Sequence, residues 1–304
     1  MTSASRALAE TILRSGSARI AFLGLAKNVG KTTALVAALE ELHRLGRPAG
    51  ATSAGRDGES FDAITGEPKP RFRVWPGQLL ASAASTYTSA SCPTTLIEAL
   101  PFATRFGAVE VRRVDDPGEI EMIGPSTASQ VAGAAAALER AGARTVLLDG
   151  AIGRRAFACA RVADAIVLSV GLAAGASVEG ALGAARGVVG LMRLERPSAG
   201  VALRNVEGAV TGALLLEDPP KPGETLVAED FASIFLSPEE RRRLSEAGAH
   251  LAVRHPARLL ALTCNPTAPA RPPASPAKFF DAVEREFPGL PVFDLVADLW
   301  SAGA

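Results

Sequence analysis

Aromatic side chains are scarce in this sequence. They make up 5% of it, with a single tyrosine, which leaves little for the stacking platforms that bind single-stranded nucleic acid. Neither sign of charge is in excess, since 32 Lys and Arg balance 32 Asp and Glu. No global field therefore favours nucleic acid or an anionic membrane. Cysteine is also rare. Cys92, Cys159 and Cys264 are far apart and contain no CxxC pair, so they read as reduced, mostly buried thiols of a cytoplasmic protein. His43, His250 and His255 form no ligand pair with them, which counts against a metal-transfer role. The first 17 residues hold no signal-like apolar run. The longest uncharged apolar stretch, 165–178, is too short to span a bilayer and is interrupted by Gly and Ser.

Small apolar residues, by contrast, are abundant. Of the 304 residues 48% are apolar, with Ala, Gly and Val prominent, enough for a large α/β core with close helix–sheet packing. Residues 6–14 read as a short amphipathic helix and 19–25 as a buried strand. Residues 32–45 read as a helix with Leu35, Leu39 and Leu42 on one face and Gly46 as its stop. The alternation returns with a helix at 128–141, strands at 145–148 and 165–170, a helix at 178–194 and a strand from 200 to 203. Repeated β–α units predict a mostly parallel sheet with helices on both faces.

Residues 65–125 break this rhythm and predict a β-rich insertion. Within it, 109–114 and 119–123 are expected to pair as a hairpin about Asp115-Asp116-Pro117-Gly118. The charges Glu110, Arg112, Glu119 and Glu121 suggest the solvated edge of a lobe that binds protein. Further on, the run Glu239-Glu240-Arg241-Arg242-Arg243 in a helix at 238–247 reads as a solvated face. A strand at 259–263, a Pro-rich linker at 266–276, a helix at 276–287 and a strand at 291–296 complete the tail. The expected organisation is a nucleotide-binding domain at 1–212, carrying the insertion, and an α/β portion at 213–304 that completes it.

The segment after the first strand carries chemistry. It reads Gly24-Leu25-Ala26-Lys27-Asn28-Val29-Gly30-Lys31-Thr32-Thr33. A nucleotide's phosphates need many donors aimed at one place with no bulky side chain in the way. A strand that turns tightly into a helix N-terminus supplies them. In this reading Gly30 lets the backbone approach the β-phosphate, Lys31 reaches the β- and γ-oxygens, and Thr32 places its hydroxyl on Mg²⁺. Lys27, Asn28, Val29 and Thr33 complete the cradle. Lys31 is expected to face the ligand rather than pack in the core.

The usual pattern places glycine where Leu25 stands, and Gly24 lies one step earlier, as in P-loop enzymes resembling dethiobiotin synthetases. Lys27 sits one position late for the extra lysine of MinD-type loops. The expected fold is thus an α/β P-loop NTPase of that layout. The apolar strand Val146-Leu147-Leu148-Asp149 ends in a carboxylate suited to hold Mg²⁺ through water or to poise an attacking water. Asp57, in the cluster at 53–59, is the expected second carboxylate near the metal, and Arg56 is placed to neutralise γ-phosphate charge. Arg154 and Arg155 are divided between contact with phosphate or substrate and plain surface. No Asn-Lys-x-Asp guanine pattern occurs. Asn205 and Asn265 are candidates for contacting adenine, or for turns. The implied cofactors are ATP and Mg²⁺.

Taken together, residues 24–33, Thr-Ser-Ala-Gly-Arg-Asp-Gly-Glu at 52–59, Lys-Pro-Arg at 69–71 and Asp-Gly-Ala-Ile-Gly-Arg-Arg at 149–155 resemble the small P-loop subunit of the lysine 5,6-aminomutase reactivase family. The likeness runs from about residue 20 to residue 180, with Gly153 standing where a hydroxyl residue is expected. The resemblance implies an ATP-driven repair factor. With a larger ATPase partner, it would open an adenosylcobalamin-dependent aminomutase and release damaged cobalamin. The competing expectation is an ATP-dependent ligase or kinase of the dethiobiotin-synthetase kind, which needs a substrate-sized polar pocket facing the γ-phosphate.

Overall fold

The computed structural model describes residues 2–54, 72–151, 159, 161–269 and 271–303. Helix α1 (Ser3–Ser15) precedes β1 (Arg19–Gly24), which turns through a loop into α2 (Lys31–Arg44) and β2 (Ala49–Ser53). Strands β3 (Phe72–Val74), β4 (Leu79–Ala83), β5 (Thr94–Thr104), β6 (Gly107–Val114) and β7 (Gly118–Ile120) follow, with α3 (Ala84–Thr88) among them. Next come α4 (Ala128–Arg140), β8 (Thr145–Ala151), β9 (Ala165–Gly171) and α5 (Val178–Met192). The remainder is β10 (Ala202–Asn205), β11 (Val210–Thr211), α6 (Gly212–Glu217), β12 (Glu224–Ala228), β13 (Ile234–Phe235), α7 (Pro238–Glu246), β14 (His250–Val253), β15 (Leu259–Asn265), α8 (Pro276–Glu286), β16 (Val292–Asp294) and β17 (Leu299–Ser301).

Ten strands form one sheet in the order β17-β16-β15-β9-β1-β8-β2-β4-β6-β5. The run from β16 to β4 is parallel, and antiparallel strands close both edges. Alternate residues of the central strands bury on opposite faces, as period-two geometry requires. Ile20, Phe22, Leu147 and Val167 pack with α1 and α2 through Leu8, Ile12, Leu35 and Leu39. Ala21, Leu23, Leu148 and Leu168 pack on the other face with α4, α5 and α8 through Val131, Leu138, Ala185 and Phe279. The chain is therefore an α/β protein with a large, mostly parallel central sheet, as the β–α rhythm predicted. Among the described residues no helix is long and apolar enough to cross a membrane.

Three expectations need correction. The hairpin at 109–123 does not form. β6 pairs with β4 and β5, while β7 pairs with β3. Phe72, Val74, Ile120 and Met122 bury in the same cluster as Leu35, Leu39 and Leu42 of α2, and covering that helix draws β7 away from β6. Nor do the described strands of the 65–125 segment make a lobe of their own, since β4, β6 and β5 extend the central sheet. Arg112 is not a loose surface charge there: it bonds Glu110 at 2.7 Å and lies over the Tyr87 ring. The third correction concerns α7. Arg242 and Arg243 do pair with Glu246 and Glu239 on a solvated face. Arg241 instead donates to the carbonyl of Gly187 on α5 at 3.0 Å, and Glu240 closes a capping box with Ser237.

Candidate functional site

β1 lies between β8 and β9. The chain leaves β1 for β2 on one side, while β8 connects across β1 to β9 on the other. This makes β1 a topological switch point, and the crevice beyond its carboxyl end is where parallel sheets hold ligands.

The loop leaving that end is shaped by glycines. A Cβ on Gly24 would stand 2.8 Å from a methyl of Val29, and one on Gly171, at the end of β9, would stand 2.8 Å from Val29 Cα. The two absent side chains make a slot that buries Val29 and folds the loop back over the strand ends. This accounts physically for the early glycine: Gly24 is needed where the loop closes on itself, and Leu25 is not. Asn28 and Gly30 then take left-handed backbone conformations, with φ of 61° and 86°, which turn the chain into α2. Leu25 N donates to Ser169 O at 3.2 Å, tying the loop to β9. Among the described residues no side chain caps α2, whose N-cap is Gly30, and the helix N-terminus with its dipole stands at the end of this loop.

Lys31 and Asp149 meet in this crevice. Lys31 Nζ lies 2.6 Å from Asp149 Oδ1, with side chains 11% and 0% exposed. Asp149 sits on β8 opposite Phe22 of β1 and Ser53 of β2, and its carbonyl accepts from Ala54 N at 2.8 Å. The carboxylate is thus fixed by a backbone held on both sides. Lys31 faces inward and is nearly buried, which corrects the expectation of a side chain free of the core. Thr32 is partly buried, while Lys27, Asn28 and Thr33 are exposed along the loop and first helical turn. A hydroxyl and a carboxylate beside a helix N-terminus form the hard-oxygen donor set that suits Mg²⁺.

The two asparagine candidates part company. Asn265 ends β15, and its Nδ2 donates to Asn28 O at 2.9 Å. Its Oδ1 accepts from Thr267 N at 3.1 Å and Thr267 Oγ1 at 2.8 Å. A Cβ on Gly30 would lie 3.3 Å from Asn265 Cβ. Asn265 is therefore a strut of the loop, with its amide engaged at both ends. Asn205 ends β10 in a separate parallel sheet, β10-β12-β14, and is exposed there; among the described residues no hydrogen bond joins it to the loop. Asp57, Arg56, Arg154 and Arg155 lie outside the described residues.

No family model, no curated protein and no solved structure matches the chain.

Sequence reasoning missed Gly171, Ser169 and Gly124. Gly124 packs so tightly on Ser53 that a Cβ would overlap Ser53 O, which holds the end of β2 beside Asp149. Gly171 had a visible signal: a glycine closing a buried strand marks a close backbone approach. Burial pushes the thiols of Cys92, Cys159 and Cys264 up, and all three cysteines are free of disulfides.

Proposed function

We propose that this chain is a P-loop ATPase of the dethiobiotin-synthetase-like layout that uses its crevice at the end of β1 to bind and hydrolyse ATP with Mg²⁺. The observation that carries the reading is the contact of Lys31 with Asp149 at the switch point, beneath an uncapped helix N-terminus. A nearly buried lysine on a buried carboxylate is a point charge that an incoming polyphosphate can take over. The backbone N–H groups of the loop and α2 supply the remaining donors. Thr32 and Asp149 would hold Mg²⁺, which supplies charge neutralisation on the phosphate oxygens. With Lys31 turned to phosphate, Asp149 is released to orient water. Phosphoryl transfer asks little covalent chemistry of a protein, so positioning and neutralisation suffice.

The resemblance to the small reactivase subunit supplies the coupling. In this reading ATP turnover drives the release of damaged cobalamin from an adenosylcobalamin-dependent aminomutase, in concert with a larger ATPase partner. Phosphate release from ATP and Mg²⁺ by the purified chain, with and without the aminomutase and the partner, tests both levels. Turnover that needs Lys31 supports the ATPase, and stimulation by the two proteins supports the coupling. Turnover that is unchanged in a Lys31 variant removes the first, and a flat response to the proteins removes the second.

A further inference from the structure

A second crevice opens at the carboxyl ends of the smaller sheet. Strands β10, β12 and β14 run parallel, and each hands its chain into one cavity of about 930 Å³. Glu207 follows β10, Glu229 follows β12 and Arg254 follows β14. The facing wall comes from the first turns of α4 and from Arg161 and Val162, just before β9. All three parallel strands thus end on a single cavity, the placement in which parallel sheets hold small ligands, and its volume is in the range of small-molecule sites.

Its charges come in both signs. Arg254 Nη1 lies 3.5 Å from Glu229 Oε2, and His255 Nε2 lies 3.6 Å from Glu229 Oε1. Asp230, which also lines the cavity, is engaged by Ala232 N at 3.0 Å and Ser233 Oγ at 3.2 Å. Arg161 and Glu207 line the same cavity, are exposed, and make no ion pair among the described residues. Between these groups the wall is apolar, with Ala132, Val162, Val206 and Phe235.

We infer that this crevice binds a free amino acid, with its carboxylate on Arg161, its ammonium on Glu207 and its side chain on the apolar wall. A phosphate or other plain anion would meet Glu207 and Glu229, and a plain cation would meet Arg161 and Arg254, so either is opposed by like charge. A wholly apolar ligand would strip water from Arg161 and Glu207 without replacing it. A small zwitterion satisfies both. The inference is independent of the phosphate-loop reading, because no residue of the loop lines this cavity.

The test uses the full chain without nucleotide. Each of the twenty proteinogenic amino acids is titrated to about 10 mM by calorimetry and thermal shift. For the tightest binder, its decarboxylated amine and its deaminated acid are titrated as well. The expected result is saturable binding of at least one amino acid, with a loss of at least about tenfold for the amine and for the acid. Arg161→Ala and Glu207→Gln should each cost about tenfold or more in the same affinity. Both residues are exposed, so Tm of the ligand-free variants should match that of the parent, and ATP binding by the variants should be unchanged. If none of the twenty binds, if both variants bind as the parent does, or if the amine or the acid binds equally well, the assignment is overturned. Loss of ATP binding in the parent chain would overturn only the phosphate-loop reading.

Discussion

The two ends of β1 carry ion pairs of nearly the same length and opposite character. At its amino end Arg19 grips Glu139 of α4 through two bonds of 2.7 Å each, with side chains 22% and 30% exposed. At its carboxyl end Lys31 meets Asp149 at 2.6 Å, with side chains 11% and 0% exposed. The first is a planar fork on a planar carboxylate, locked in geometry and partly screened by water. The second is a point charge on a flexible stem, held where little water screens it. A locked, solvated pair fastens a helix to a strand. A buried pair is costly to build by desolvation, and an ammonium on a flexible stem changes partner more readily than a planar fork does. Distance alone does not distinguish a fastener from a site; burial and the shape of the cation do.

The strongest way to break that contrast is Lys31→Ala. If the chain is the ATPase proposed above, phosphate release should fall to background, because the charge assigned to the β- and γ-oxygens is gone. The same change takes the Lys31 ammonium away from a buried carboxylate, so stability should drop by roughly 3 kcal/mol, read as a lower denaturation midpoint at an unchanged slope. Adding Asp149→Asn to Lys31→Ala should restore much of that stability and none of the turnover. A double variant no more stable than Lys31→Ala would show that the pair does not behave as a buried ion pair.

Asp149→Asn alone is the next largest effect. The amide keeps the shape and loses the charge, so turnover should fall about a hundredfold while ATP binding is retained within a few fold. Normal turnover in this variant would make Asp149 only a partner for Lys31.

Changes that move the loop without touching its charges should cost less. Gly171→Ala drives a methyl to 2.8 Å from Val29 Cα. The loop must lift, and ATP affinity should fall about tenfold, with a stability cost of about 1–3 kcal/mol. Asn265→Ala removes the bond to Asn28 O and should weaken ATP binding several fold, through loss of one hydrogen bond's worth of loop order, roughly 1 kcal/mol. If Asn265→Ala also shifts the preference between ATP and GTP, the side chain reads the base and is more than a strut.

Much of this arrangement was legible in the sequence. The loop, its helix and the strand that carries Asp149 announced themselves because a buried parallel strand, a glycine turn and an amphipathic helix each have a distinct period, although β8 runs on to Ala151 rather than ending at the carboxylate. Asn265 was visible as a polar residue at a strand end, but its role was not, since the contact with Asn28 spans more than two hundred residues and periodicity reports only local geometry. The pairing of β5, β6 and β7 was illegible for the same reason. The chain bends at Asp116, yet the partners of β6 and β7 are chosen by which apolar set each strand can cover. Arg241 read as solvated because charge runs usually are. The glycines of α5 that admit it, Gly187 and Gly190, lie far upstream.

The smallest expected effect belongs to the fastening pair and sharpens the comparison from the other side. Glu139 is held below its ordinary value first by the hydrogen bonds from Arg19, against a smaller opposing effect of burial and with help from the Arg19 charge. Arg19 is raised by the same partner, but it titrates far above any working pH, so the pH dependence rests on Glu139. A carboxylate depressed in the folded state adds stability above its unfolded value and loses it as pH falls through the folded value. The pair is partly solvated, so its worth at neutral pH should be under about 1 kcal/mol. Glu139→Gln should therefore lower Tm slightly at neutral pH. The gap from the parent should hold down to the ordinary glutamate range and close below it, where the parent's carboxylate also becomes neutral. ATP turnover should not change, since Arg19 and Gly24 stand at opposite ends of the strand. A gap that widens on acidification would reverse the sign and mean that Glu139 is held protonated in the folded chain. A fall in turnover would mean that the fastening end of β1 reaches the site, and that the two ends are one device.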